Sequence, residues 1–464
     1  MRRLAAALAL APCFTLAELP EPVREALARA GVPESAVGAV VEPVGGGRRL
    51  VEHQPGKALN PASAIKLVTT FAALDLLGPA HSFRTEALVT GELASGQLDG
   101  DLVLKGGGDP KLTYERLWQF VRQLRTRGLR EIRGDVLLDR TAFAAAPHDS
   151  ARFDGESRRA YNVGPDALLL NYKIVDFRFV PDAAGVRVLG EPDFPGLAIA
   201  SRLKAVKEPC GNWRRGLKVE IEEHGLLATA VFTGTYPADC GEKSWPLSVF
   251  DPDRYAEVTF RWLWSEAGGR LLGRVRAAPA PAGARSFLRF ESAPLAELVR
   301  DINKFSNNVM ARQLFLSLSA EKTGLPGEAR ASERLVREWL AGKGIDAAEL
   351  VLENGSGLSR AERIPAGALA GVLRAAWASP AMPELMSSLS LFAVDGTFKS
   401  RNGSFAGQAH LKGGTLAGVQ SVAGYVLDAK GQRWIAVMIV NHENANRAQG
   451  ALDALVDWVW RGAR

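Results

Sequence analysis

The sequence is poor in the residues that build the commonest catalytic and binding centres. Only three cysteines occur in 464 residues, Cys13, Cys210 and Cys240, and none stands in a C-x-x-C pair. That excludes the common zinc and thioredoxin patterns. Six histidines are scattered at 53, 81, 148, 224, 410 and 442. None belongs to H-E-x-x-H, so a zinc-peptidase centre has no anchor and no metal or other cofactor is called for. No G-x-S-x-G elbow is present, which argues against an α/β-hydrolase. The loop Gly106-Gly107-Gly108-Asp109-Pro110 lacks the Lys-Ser/Thr of a phosphate-binding loop and reads as a tight turn. The net charge is +6, yet no Lys/Arg block marks a nucleic-acid partner. A mild positive balance also suits an anionic polymer, or loose association with a membrane surface, and by itself selects neither. What is present is globular in character. Hydrophobic residues make up 47% and charged residues 23%, which excludes disorder and fibrous repeats. The 47 glycines and 25 prolines favour a turn-rich α+β protein over an all-helical one, and the length predicts about three domains.

The N-terminus reads as a secretory leader. Arg2 and Arg3 form a charged head, Leu4 to Leu16 an apolar run, and Thr15-Leu16-Ala17 a small-residue cleavage site. The run is short for a membrane span, and no later stretch reaches about 18 apolar residues. Removing residues 1–17 takes two arginines and no acid, leaving +4. Leu10-Ala11-Pro12-Cys13 also resembles a lipoprotein box, with Pro12 a poor fit. Cys210 and Cys240 then remain as an even pair in an oxidising compartment, either bridged or as two buried thiols.

Along the chain, Val37–Val44 and Arg48–Glu52 are β-prone runs around Gly45-Gly46-Gly47, a hairpin pattern. Asn60-Pro61 then opens an apolar helical pattern through Leu67, Val68, Phe71, Leu74 and Leu77, stopped at Gly78-Pro79. From about His81 the texture becomes short strands with glycine turns. It includes a helix at Tyr114–Arg127 and further strands up to Ala256–Trp264. A Pro/Ala/Gly stretch at 276–283 reads as a boundary. Beyond it Ser292 is expected to cap a helix through Ile302. A second helix follows Asn308, and a third runs from about Ser332 to Leu340. Strands Val419–Leu427 and Trp434–Asn441 and a helix from about Ala445 to Arg461 close the chain. The two ends are alike and the middle differs, which fits either one domain with a large insertion or three domains in series.

Chemistry concentrates in serines and lysines. Ser63-x-x-Lys66 lies on one face of the first turn of the apolar helix. Taken alone, it also fits a capping serine beside an exposed lysine. A lysine opening a buried helix is costly unless partnered. Burial or a second cation would lower its pKa and make it a base toward Ser63. Ser306-Asn307-Asn308 joins two helices, where an ordinary cap is the plain reading. Lys412-Gly413-Gly414-Thr415 precedes a strand, where a β-turn with a solvated lysine is the plain reading. The three in this order, in a secreted chain of this length, are much less expected by chance.

Ser63-x-x-Lys66, Ser306-x-Asn308 and Lys412-x-Gly414 resemble the three motifs of penicillin-recognising serine enzymes. The surroundings resemble the low-molecular-mass class C penicillin-binding proteins, D-alanyl-D-alanine carboxypeptidase/endopeptidases of peptidase family S13. The segments that carry this are Asn60 to Ser63, Gly106 to Pro110, Tyr161-Asn162 through Asn171, Asn354-Gly355-Ser356-Gly357-Leu358-Ser359-Arg360, Asp395-Gly396-Thr397, and Leu411 through Gly424. The resemblance implies an α/β (α+β) transpeptidase-like domain, an antiparallel sheet flanked by helices, interrupted by a β-rich insertion. On that reading 18–80 and 286–464 form the catalytic domain. Residues 81–285 are the insertion, with an inner subdomain at roughly 170–245. The 240 positions between Lys66 and Ser306 match that architecture.

The implied chemistry is acyl transfer from peptidoglycan stem peptides in the periplasm, with β-lactams as covalent inhibitors. Ser63 attacks the carbonyl between two D-alanines and Lys66 is the general base. The backbone N–H groups of Ser63 and Thr415, the latter beside Gly414, form the oxyanion hole. Ser306 relays a proton to the leaving amine, Asn308 holds Lys66 and the substrate amide, and Lys412 meets the terminal carboxylate. Arg360 is similar to a family arginine at the peptide stem and Tyr161 to an aromatic of the side-chain pocket. Glu156 falls where an aspartate is expected. The third motif usually reads Lys-Thr-Gly, and Gly413 removes its hydroxyl, worth about 1–2 kcal/mol toward a desolvated carboxylate; Thr415 is a candidate replacement. Two alternatives are a serine β-lactamase, opposed by the long insertion and the lack of a deacylating Glu signature, and a non-catalytic peptidoglycan-binding scaffold, opposed by the intact motif residues.

Overall fold

The computed structural model describes residues 18–463, residues 184 and 226 excepted. The expected leader over 1–17, with Cys13, lies outside them. The chain forms two compact units. Among the described residues one comprises 18–67, Leu340–Leu352 and 361–463, and the other Val68–Trp339 and Glu353–Arg360. No helix of the described residues is long and apolar enough to cross a membrane.

The first unit is built on a wholly antiparallel sheet of six strands. Their order is Val51–His53, Val37–Pro43, Arg433–Asn441, Val419–Leu427, Ala409–Leu416 and Ser390–Leu391. The hairpin expected around Gly45–Gly47 is there, with Val41 opposite Val51. Strand Arg433–Asn441 is apolar almost throughout because both its faces are covered. Trp434, Ala436, Met438 and Val440 share a core with Leu27 and Leu455 of helices Glu21–Ala30 and Gln449–Trp460. The alternate residues Ile435, Val437 and Ile439 point to the opposite face, where helix Ala366–Trp377 packs.

The second unit centres on a mixed sheet ordered Val275–Ala277, Val136–Asp139, Leu102–Gly106, Arg84–Val89 and Arg285–Glu291. Helix Tyr114–Thr126 covers it with Leu117, Phe120, Val121 and Leu124, the i, i+3, i+4, i+7 stripe of an amphipathic helix. The segment Ala256–Trp264, expected as strand, is instead part of helix Pro252–Glu266. Its valine, threonine and aromatics favour strand locally, but Asp251 accepts hydrogen bonds from the N–H groups of Asp253 and Arg254 at 3.0 Å. Pro252 then fits the first helical position, so the start signal overrides propensity. Ser292 does not cap a helix. Its hydroxyl accepts the Phe83 N–H at 2.9 Å, and the helix, Leu295–Lys304, begins after Pro294.

A four-stranded sheet ordered Arg270–Leu271, Glu131–Ile132, Gln97–Asp99 and Glu92–Ala94, and two small three-stranded sheets, complete this unit. Val175–Asp182 pairs with Gly185–Glu191 and Lys243–Leu247, and Leu227–Pro237 with Leu197–Val206 and Leu217–His224. Phe177, Phe179, Phe232 and Tyr236 interlock between them. Cys210 and Cys240 are bridged across a sequence separation of 30. Closing a loop of that length restricts the unfolded chain by about 3–4 kcal/mol. Reduction, or Cys240→Ser, is expected to lower denaturant resistance and to speed proteolytic nicking between 206 and 243, read by mass spectrometry. Unchanged nicking would mean that the aromatic cluster alone holds the region.

Candidate active site

Ser63 stands at a turn that the chain strains to make. The spacing predicts a helix from Asn60-Pro61. The structure has instead a 3-10 turn, Ala62–Ile65, that leads into the α-helix Lys66–Leu77. Residues i and i+3 eclipse in a 3-10 turn, which brings Lys66 over Ser63, its Nζ 3.0 Å from Ser63 Oγ. Lys66 is wholly buried, so the exposed-lysine alternative is excluded. Ala62 has φ +46, a left-handed conformation that costs a residue with a β-carbon about 1–2 kcal/mol. Its N–H is held by Asn60 Oδ1 at 2.8 Å. Asn60 is in turn clamped by Asn441, which accepts the Asn60 N–H at 2.7 Å and donates to its carbonyl at 2.9 Å. No sequence signal linked Asn441 to this turn, because 381 positions separate the partners.

Strand Ala409–Leu416 lies against the same turn. At Gly414 a β-carbon would stand 2.5 Å from the Pro61 carbonyl oxygen and 2.8 Å from the Ser63 nitrogen, so only glycine fits. Ser421, opposite Gly414 in the sheet, donates to the Pro61 carbonyl at 2.6 Å. Lys412 lies two residues before Gly414 and shares its face of the strand. It is wholly buried, it donates to the Gly413 carbonyl at 2.8 Å, and burial pushes its ammonium down to about 7. The neighbouring strand Ser390–Leu391 pairs only with Leu411 and His410. Among the described residues no strand covers the outer edge of 412–416. Such a free edge can accept an extended peptide as one more strand.

Thr415 follows Gly414 in the same strand, and Ser306, Asn308, Tyr161, Glu156 and Arg360 lie in the second unit. Ser306 has φ +55 and ends helix Leu295–Lys304. The cap of the next helix, Asn308–Thr323, is made by Asn307, whose Oδ1 accepts the Met310 N–H at 3.0 Å. One turn after Asn308, the buried Arg312 donates to the carbonyls of Tyr161 at 3.3 Å and Val163 at 3.2 Å. This fixes the Tyr161 segment onto the helix that Asn308 starts.

Tyr161 OH donates to Asp154 Oδ2 at 2.8 Å, and Asn162 Nδ2 donates to Asp154 Oδ1 at 2.8 Å. Desolvation raises the Asp154 carboxyl, but these bonds outweigh it and hold the group below the usual range. Burial and Asp154 push the Tyr161 phenol up to about 12, so it stays a neutral donor. Glu156 instead bonds Arg159 at 3.2 Å, so the carboxylate joined to Tyr161 is Asp154, a residue that sequence reasoning passed over. The Arg360 guanidinium lies 4.7 Å from the ring centroid of Phe153, beside Asp154. Tyr161, Glu156 and Arg360 are thus gathered around one segment, 152–162.

The arrangement of Ser63, Lys66 and Gly414 suits acyl transfer by a serine, and comparison with known proteins agrees. A model of the D-Ala-D-Ala carboxypeptidase 3 (S13) family matches residues 19–461. A D-alanyl-D-alanine carboxypeptidase of Actinomadura sp. (strain R39) is 32% identical over 463 residues, 95% of this chain and 84% of that protein. The crystal structure of penicillin binding protein 4 from Haemophilus influenzae matches with a TM-score of 0.77 at 21% identity, covering 94% of this chain and 99% of that one. The same protein complexed with a β-lactam matches at 0.72 and 21% identity, over 93% and 98%. The transpeptidase-like fold expected from the motifs is therefore the fold observed. With the family model spanning almost every described residue, the chain belongs to the D-Ala-D-Ala carboxypeptidase 3 (S13) family.

Proposed function

We propose that this chain is a serine DD-peptidase of peptidoglycan that acts through a Ser63 acyl-enzyme. It releases the terminal D-alanine of stem peptides, cleaves D-alanine-to-diamino acid cross-links, or does both. The observation that carries this reading is the 3.0 Å contact between Lys66 Nζ and Ser63 Oγ, made by a wholly buried lysine. Neutral Lys66 accepts the hydroxyl proton as Ser63 Oγ bonds to the scissile carbonyl carbon. The N–H groups of Ser63 and Thr415 receive the developing oxyanion. The leaving amine takes up a proton, D-alanine departs, and water hydrolyses the ester. Motif resemblance assigns the proton relay to Ser306 and a hold on Lys66 and the substrate amide to Asn308. The same resemblance assigns the stem contacts to Arg360, Tyr161 and Glu156. It also makes 81–285 an insertion within a catalytic domain formed by 18–80 and 286–464. The leader pattern and the Cys210–Cys240 bridge support action outside the cytoplasm.

D-Alanine release from a stem pentapeptide, run beside cleavage of a cross-linked muropeptide, tests the reading. Turnover of either with fluorescent penicillin bound covalently supports it. No label and no turnover overturn it, and rapid loss of label identifies a β-lactamase instead.

Lys412 sets a pH dependence. Its folded value of about 7 lies below 10.5, the ordinary value. Between these the unfolded chain holds a proton that the folded chain lacks, so this group makes the fold more stable as pH rises across the window. The cation that attracts the substrate carboxylate disappears over the same range. The kcat/KM for a carboxylate-terminated peptide is therefore expected to fall as pH rises through about 7, with the kcat limb higher because bound carboxylate favours the ammonium. A flat kcat/KM profile from about pH 6 to about pH 9 would remove Lys412 from carboxylate recognition.

A further inference from the structure

The third motif carries glycine where the family pattern has a hydroxyl residue, and the structure shows what occupies that space. Gly413 and Gly414 face opposite sides of their strand. A β-carbon at 413 would stand 3.1 Å from Phe398 Cζ and 3.2 Å from Cε2, closer than ordinary van der Waals contact. The ring is not free to retreat. Phe398 is buried, belongs to the core of the first unit, and lies 6.0 Å from Phe392, which packs 4.1 Å from Phe405. The Arg401 guanidinium covers it at 5.5 Å. The nearby hydroxyls already spend their protons, Thr415 Oγ1 on Gln420 Oε1 at 3.2 Å and Ser421 Oγ on the Pro61 carbonyl at 2.6 Å.

We propose that Gly413 is a specificity-determining position and that the Phe398 ring, packed against it, keeps it without a side chain. The Phe398 ring keeps a side chain out of position 413, so the leaving residue's carboxylate meets the Lys412 cation without a hydroxyl donor from that position. This rests on the DD-peptidase reading and names a substrate consequence. The site discriminates less between a leaving D-alanine and a leaving D-alaninamide than one with a hydroxyl at 413, and so tolerates peptides carboxamidated at that residue.

The test compares kcat/KM for stem peptides ending in D-Ala-D-Ala acid and amide at one pH. It uses the wild type, Gly413→Thr, Phe398→Ala and Phe398→Ala/Gly413→Thr. A hydrogen bond to a carboxylate corresponds to about tenfold, so the double variant is expected to raise the acid-to-amide ratio by about that factor. Phe398→Ala alone should leave the ratio unchanged. Gly413→Thr alone should slow penicillin acylation by about tenfold through overpacking. Gly413→Ala, with and without Phe398→Leu, gives the same steric coupling as a melting temperature that falls in the single variant and recovers in the double. An unchanged ratio in the Phe398→Ala/Gly413→Thr variant, or Gly413→Thr behaving as wild type, overturns the proposal. A wild type that neither labels nor turns over is the separate failure of the DD-peptidase reading.

Discussion

Ser63→Ala is expected to abolish covalent labelling by penicillin and to reduce peptide turnover by a factor on the order of 10⁶, as for loss of a catalytic serine generally. The structure explains why so large an effect should come with an intact fold. Ser63 is half-buried, and its hydroxyl takes the Lys66 hydrogen bond at 3.0 Å. Removing it leaves the Asn60–Asn441 clamp and the Gly414 contact in place and costs about 1 kcal/mol of hydrogen bonding. Melting of the variant should therefore stay close to wild type while labelling disappears. Persistent labelling in Ser63→Ala would falsify the nucleophile assignment. An early melt would instead make Ser63 a structural residue of the turn.

Gly414→Ala should be the second most damaging change, although it adds one methyl group outside the Ser-Lys pair. The new carbon would meet Ser421 Oγ at 2.4 Å, the Pro61 carbonyl oxygen at 2.5 Å and the Ser63 nitrogen at 2.8 Å. Ser421 can rotate, but the other two atoms are backbone of the strained turn, so the strand must move away. That displacement spoils the pair of N–H groups at Ser63 and Thr415 assigned to the oxyanion. Loss of such donors costs about 10²–10³ in rate, while overpacking costs about 1–3 kcal/mol of stability. The acylation rate constant and the melting curve read these separately. Acylation within about threefold of wild type, well short of the loss of one donor, would show that strand 409–416 takes no part in holding the oxyanion.

Much of the chain's first eighty or so residues was legible because it follows local periodicity. Alternation around Gly45–Gly47 marks a hairpin whichever sheet receives it, and the apolar spacing after Asn60 marks a buried helix. Ser63 and Lys66 are close in space because they are close in sequence. The second unit misled at Ala256–Trp264, where β-prone side chains occupy a helix fixed by Asp251 and Pro252. Near Tyr161 the engaged carboxylate proved to be Asp154, because chain direction through the 3-10 turn Ala160–Asn162 decides which acid reaches the phenol.

The sequence by itself determined the family, the Ser63–Lys66 pair and the order of the motifs, since these rest on residue type and short spacing. Tertiary structure alone decided the rest. It set the Asn60–Asn441 clamp on the strained Ala62, the bridging of Cys210 with Cys240, the seating of Gly414 on the Ser63 backbone, and the Phe398 ring that keeps Gly413 bare. Each joins residues distant along the chain, and close packing, not local propensity, chooses such partners.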